Sequence, residues 1–177
     1  MSAEIYYSET HPRSLFVIAT LNYLNIAYTG KKLDMDKGEH TSSAMKKISP
    51  EGLLPALKEG DLCLSRAQAI AKYMISEEVK GSDFYPDDDL KSRIKIDAFL
   101  DYDSMDLRPA LADMVMYHSK PDEMESQKAR IFDTWQKVIK FLNGMVTRVE
   151  GKTYPIWYDT FFIELKALKI IIKKHKK

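Results

Sequence analysis

Residues 53–70 read LLPALKEGDLCLSRAQAI. Two apolar runs, 53–57 and 62–64, flank the polar stretch Lys58-Glu59-Gly60-Asp61, which is the pattern of a β-hairpin. Ser65 then opens a helix, with Gln68 three residues further on, as a capping box requires. Between them stand Arg66 and Ala67, a cation and a methyl group at a helix start. A hairpin running into a helix fixes the last part of a small α/β unit, and the preceding residues supply the rest.

EIYY, residues 4–7, predicts a short strand. Pro12 falls in the first turn of the next helix, where a missing N–H costs nothing. Leu15, Ile18, Ala19, Leu21 and Leu24 recur mostly on one helical face. IAYTGKKLD, residues 26–34, predicts a second strand. Residues 4–34 thus have the length of one βαβ unit, roughly 30 residues, and parallel strands need such a crossover. MDKGEH (35–40) is a polar loop, TSSAMKKI (41–48) begins with hydroxyls able to cap a short helix, and SPEG (49–52) is a turn. The order β-α-β-α-β-β-α, two parallel strands and then a hairpin, is the thioredoxin-like arrangement.

KGSDFYPDDD (80–89) gathers glycine, proline and acids and reads as a linker. Beyond it only helical periodicity remains. A long helix is expected over 90–118, with Ile94, Leu100, Leu107, Leu111 and Met114 in its apolar stripe and a kink at Pro109. A second helix is expected over 120–146, with Ile131, Trp135, Val138 and Leu142 on one face. A third is expected over 157–177, with Phe161, Leu165, Leu168 and Ile172 as its stripe. The expected organisation is a thioredoxin-like domain at 1–79, a linker at 80–89 and an all-α domain at 90–177.

The chain has 177 residues, 45% of them hydrophobic and 30% charged, so it can build a core and carry a solvated surface. Its formal net charge of +1 gives no global pull toward nucleic acid or anionic membrane. The single cysteine, Cys63, excludes an intrachain disulfide framework and a CxxC pair. No stretch approaches the ~20 apolar residues of a membrane span, and the first strand starts too early for a signal peptide. Cytoplasmic residence is the expectation. His11, His40, His118 and His175 have no paired spacing, so no metal site is expected.

Over residues 34–74 the sequence resembles the cytosolic glutathione transferases, theta- and delta-like. The KG-x-H loop, the G-x-LPAL segment, the EGD turn and the AI-x-x-Y helix stand in register. The likeness continues through FYPDDDLKSRIKIDAFLDYDS (84–104). IWYDTFFIELKAL (156–168) resembles the family's late motif, in which an acid, here Asp159, organises a core helix. It covers about residues 4–168, in a divergent and C-terminally shortened form. The fold it implies is α/β plus all-α, an N-terminal thioredoxin-like domain followed by a shortened glutathione-transferase-type helical domain.

The resemblance also implies a chemistry. Glutathione is held extended, and a hydroxyl at the start of the first helix stabilises its thiolate; lowering a thiol pKa needs such donors or positive potential. Alignment without a gap puts His11 at the position of the family's serine, with Ser8 and Ser14 the nearest hydroxyls. His11 and Ser8 are the catalytic candidates, and a structural histidine beside Pro12 is the other reading. Pro55 matches the family's cis proline, which presents the backbone of the preceding residue, here Leu54, to the cysteine of glutathione. His40 matches a residue near the glycyl carboxylate, or is a solvated loop histidine. At Arg66 and Ala67 the family carries an acid and a serine that grip the γ-glutamyl end. Arginine turns attraction for the ammonium into repulsion, and alanine deletes a hydrogen bond.

The favoured reading is therefore a glutathione-transferase-like protein with a degraded glutathione site. It would act as a noncatalytic structural or interaction module, in a homodimer or with a protein partner, and without cofactor. The alternatives are an active theta-like transferase that conjugates glutathione to small electrophiles, and a binding protein for apolar ligands. If Arg66 lies where the ammonium would, it needs a new acceptor: Asp101, Asp103 or Glu51. The acidic run Asp97, Asp101, Asp103, Asp106 otherwise reads as a solvated helix face. The basic tail, residues 170–177, caps a helix end or docks to an acidic surface.

Overall fold

The computed structural model describes residues 2–109. The helices expected over 120–146 and 157–177, the part of the long helix beyond residue 109, and the readings of Asp159, His118, His175 and the basic tail lie outside the described residues.

The elements follow the expected order. They are β1 (Glu4–Tyr7), α1 (Pro12–Tyr23), β2 (Thr29–Lys32), a 3-10 turn (Glu39–Thr41), α2 (Ser43–Lys46), β3 (Ala56–Glu59), β4 (Leu62–Ser65), α3 (Ala67–Glu78) and α4 (Leu90–Tyr102), which runs into a π turn at Asp103–Leu107. The strands form one sheet in the order β2-β1-β3-β4. β2 lies parallel to β1 across the α1 crossover, while β3 is antiparallel to both β1 and β4. This is a thioredoxin-like sheet, followed in the chain by helix.

Side-chain alternation gives the sheet its two faces. Ile5 and Leu57 are direct partners across β1 and β3, and both are fully buried with Val17 and Leu21 of α1 and Ile70, Ala71, Met74 and Ile75 of α3. The neighbouring pair Tyr6 and Ala56 points the other way. There Ala56 joins Met45 of α2 and Leu54, ringed by Leu33, Met35 and Ile48. α2 is held at its start as expected, since the Ser42 hydroxyl accepts from the Met45 N–H.

Several local expectations need correction. The hairpin turn shortens to Gly60-Asp61, because pairing continues to Glu59 and Leu62; Gly60 supplies the positive φ of +57° that a two-residue turn needs at its first position. Ser65 is not the helix cap. It still pairs with Ala56 at the end of β4, and the N-cap is Arg66, with φ +86° and no side-chain cap. On α1 the buried face is Ser14, Phe16, Val17, Thr20 and Leu21, whereas Leu15, Ile18, Ala19 and Leu24 are only half-buried. Hydroxyls fit that face because Thr20 donates to the Phe16 carbonyl at 2.9 Å.

On α4 the buried residues are Ile96, Phe99 and Leu100, and Ile94 is exposed. The helix departs from α geometry at Asp103–Leu107, ahead of Pro109. Proline offers no N–H to the preceding turn, and its ring crowds the carbonyl four residues back; a π turn accommodates both. Asp103 is buried in that turn, and its carboxylate accepts from Arg108 Nε at 2.7 Å.

The first of two compact units runs through Leu90, and Lys91 begins the second. Residues 80–89, read as a linker, include a buried Tyr85. Phe84 meets Tyr23 edge-to-face at 5.6 Å, and the Lys72 ammonium lies 5.8 Å from the centre of the Tyr85 ring.

Two outcomes are expected. Ile70→Ala empties a fully buried site between helix and sheet and should cost about 2–5 kcal/mol in urea unfolding, whereas Leu62→Ala at the sheet margin should cost under about 1 kcal/mol. Tyr73 donates to Glu59 at 2.7 Å, and this bond, then burial, pushes its pKa from 10.0 to about 12. The fold holds that proton more tightly than the unfolded chain does. The associated stability is therefore complete below the unfolded value and is lost as pH rises through the folded one. Absorbance titration at 295 nm should show a late-ionising tyrosine that Tyr73→Phe removes.

Candidate functional site

The sheet register gathers the candidate residues. Tyr6 pairs with Ala56, and Ala56 pairs with Ser65. The chain leaving β1 after Tyr7, the chain entering β3 at Pro55 and the chain leaving β4 after Ser65 therefore meet at one end of the sheet. Ser8 and His11 stand on the first path, Leu54 and Pro55 on the second, Arg66 and Ala67 on the third. β2 runs parallel to β1 and ends at the same edge, with Tyr7 opposite Lys32; the chain continues from it to His40. The N-termini of α1 and α3 both begin at this end.

On the β1 path both serines are buried, while Thr10 is exposed. Ser8 is buried, and its Oγ lies 3.1 Å from the Thr10 hydroxyl. Ser14 is fully buried, 3.3 Å from His11 Nδ1. His11 is the N-cap of α1 and half-buried; its carbonyl accepts from the Ser14 and Leu15 N–H groups at 3.0 and 3.1 Å. The Ser14–His11 contact is slightly longer than the roughly 2.6–3.2 Å of a nucleophile–base pair, and a serine with no exposed surface cannot meet a substrate. His11 is the most accessible of the three.

The Leu54-Pro55 peptide is cis and both residues are buried. The turn before it closes through Ser49, whose carbonyl accepts from Gly52 at 2.8 Å and whose hydroxyl accepts from Leu53 at 3.0 Å. Gly52 has φ +65°, and a Cβ there would lie 3.4 Å from both the His40 carbonyl oxygen and Thr41 Cγ2. The backbone of the His40 loop thus packs closely on this turn. His40 is half-buried, and its Nδ1 is fully buried without a hydrogen-bond partner among the described residues.

Arg66 takes one of the acceptors expected from the sequence, Glu51. A single nitrogen, Nη2, donates to both carboxylate oxygens, at 2.9 and 2.8 Å. The side chains of Arg66 and Glu51 are 57% and 54% exposed, so the pair lies on the surface and does not fill a buried hole. Asp103, another expected partner, is held by Arg108. Ala67 is buried. Sequence reasoning missed Thr10 as the partner of Ser8 and the positive φ of Arg66. The first had no motif to announce it; the second follows from pairing that extends through Ser65.

Among the described residues no cluster of histidine, cysteine or acid side chains could hold a metal ion, and no helix is long and apolar enough to cross a membrane.

Comparison with known proteins agrees with this architecture. Residues 2–76 match the glutathione S-transferase N-terminal domain family. Human glutathione S-transferase theta-1 is 31% identical over 96 residues, 54% of this chain and 39% of that protein. A probable glutathione S-transferase GSTF2 of Oryza sativa subsp. japonica is 32% identical over 139 residues, 74% of this chain and 63% of that protein. The chain thus spans less than two thirds of the length of each of these relatives. Among solved structures, poplar glutathione transferase F1 superposes with a TM-score of 0.74 at 21% identity, covering 93% of this chain and 79% of the other. A diazinon-metabolizing glutathione S-transferase of the silkworm Bombyx mori gives 0.75 at 19% identity, covering 97% and 100%.

Positive φ is strained for an arginine. Arg66→Gly, which removes the strain along with an exposed ion pair, should leave the urea midpoint unchanged or raise stability by up to about 2 kcal/mol. Arg66→Val, β-branched at the same φ, should lower stability by more than about 1 kcal/mol.

Proposed function

The chain belongs to the glutathione S-transferase family, and from that premise we propose that it is a noncatalytic member, an interaction module whose glutathione site is degraded. The observation that carries the reading is the ion pair at the start of α3. In the family an acid and a hydroxyl grip the γ-glutamyl end of glutathione. Here Arg66 presents a permanent cation whose acceptor is Glu51, and Ala67 presents a buried methyl group. A cation repels the ligand's ammonium, and alanine leaves unmade a hydrogen bond worth about 0.5–1.5 kcal/mol, more to a charged group.

The start of α1 supports the same reading. No exposed serine hydroxyl stands there, since Ser8 and Ser14 are both buried. Meanwhile the residues that build the scaffold persist: Pro55, the Ser42 cap and the helix faces on the sheet. A fold kept without its ligand grip suits a protein selected for its surface. The proposed partner is a protein or a second copy of the chain, in the cytoplasm; exposed Ile94 and Met105 on the second unit support such contact.

An active theta-like transferase is the second reading, favoured by His11 at the α1 N-cap. A protonated imidazole beside a helix N-terminus can donate to a thiolate.

The assay is conjugation of glutathione with 1-chloro-2,4-dinitrobenzene. No turnover above background is expected, and glutathione should give no calorimetric signal at millimolar concentration. Arg66→Glu combined with Ala67→Ser should restore measurable affinity, because it returns the acceptor and the hydroxyl. Turnover that His11→Ala abolishes would establish the second reading instead. Native mass with and without a cell extract tests for the assembly.

A further inference from the structure

We infer that Arg66 is a receptor for a carboxylate that has no ammonium beside it, and that Glu51 is the internal carboxylate such a ligand displaces. The inference deepens the proposed loss of the glutathione grip, on which it rests, by naming the ligand class the altered site takes.

The structure already holds a carboxylate on this guanidinium. Both oxygens of Glu51 accept from Nη2 alone, so Nε and Nη1 make no hydrogen bond among the described residues. Guanidinium matches a carboxylate best when two of its nitrogens donate side by side. The Glu51 contact is therefore an incomplete use of the arginine, and an incoming carboxylate can make the paired contact that Glu51 does not. Displacement costs little, because both side chains are more than half exposed and such pairs contribute little net stability.

Two features place the ligand at this end of the sheet. Ala56 pairs with Ser65, which sets Arg66 beside the Leu54-Pro55 corner rather than out on a loop tip. His40 Nδ1, buried and without a hydrogen-bond partner among the described residues, belongs to the loop packed on the same 49–52 turn that carries Glu51.

The discrimination follows from charge. A ligand whose carboxylate stands next to an ammonium brings that cation toward Arg66, and Ala67 offers it no acceptor. A zwitterionic head has one rival solution, with its carboxylate on Arg66 and its ammonium on the released Glu51. The two solutions predict opposite preferences.

The probes are glutathione and N-acetylglutathione, which differ at the γ-glutamyl nitrogen, an ammonium in the first and an uncharged acetamide in the second, titrated calorimetrically into the full chain. N-Acetylglutathione should bind about tenfold tighter or more. Glu51→Gln should tighten it by about two- to fivefold, the range an exposed pair supports. Arg66→Gln should abolish the preference while leaving the fold intact, since the side chain is exposed. Equal affinity for the two probes, tighter binding of glutathione, or a preference that survives Arg66→Gln overturns the inference. Binding of neither probe overturns it too, yet leaves the noncatalytic reading standing. Glutathione turnover overturns the noncatalytic reading whatever the preference.

Discussion

The antiparallel ladder of β1, β3 and β4 is the constraint on which the rest depends. Ile5 faces Leu57, and Leu57 faces Leu64; this row sets the face that α1 and α3 cover. The next row, Tyr6, Ala56 and Ser65, lies on the opposite face and closes the site end of the sheet. A slip of one residue would exchange the faces. Leu57 would then turn toward α2, Ala56 toward the helices, and the corner at Arg66 would move off the corner at Pro55. The buried contacts of Ile70, Met74 and Ile75 hold the register, and the register holds the site.

The elements of this first unit were legible because each has a local cause. Pro12 starts α1, Ser42 caps α2, Gly60 turns the hairpin, and α1 provides the crossover that parallel strands require. Which side chains were buried was less legible. Simple apolar periodicity chose Leu15 and Ile18 on α1 and Ile94 on α4. The structure buries Ser14 and Thr20 on the first helix and Ile96 and Asp103 on the second. In each case a polar group is satisfied locally. Thr20 bonds back to the Phe16 carbonyl, and Asp103 accepts from Arg108 across a π turn. A pattern of apolar letters cannot see a hydroxyl or carboxylate that finds its partner within one or two turns.

For the site, residue types at fixed positions were readable and their geometry was not. The resemblance identified His11, His40, Leu54, Pro55, Arg66 and Ala67 as one constellation, and strand pairing explains why they share an end. It did not reveal that Ser8 is buried, with its hydroxyl against that of the exposed Thr10, because nothing in the letters distinguishes a buried loop serine from an exposed one. The partner of Arg66 was one of three acids in the sequence. Glu51 is the one that the 49–52 turn, tied down through Ser49, holds within reach of the start of α3.

The backbone at Arg66 sharpens the meaning of its side chain. Because Ser65 stays in the ladder and Ala67 is already helical, one residue must turn the chain, and it does so at φ +86°. Glycine would make that turn without strain. Asparagine and aspartate also tolerate positive φ better than most residues. An arginine there carries the strain and gains only an exposed pair with Glu51, too weak an interaction to offset it on stability grounds. A strained residue whose side chain contributes little to the fold points to a role for that side chain outside folding. Under the proposed reading, that role is to place a positive charge, at the meeting point of two helix N-termini, where the resemblance implies a negative one.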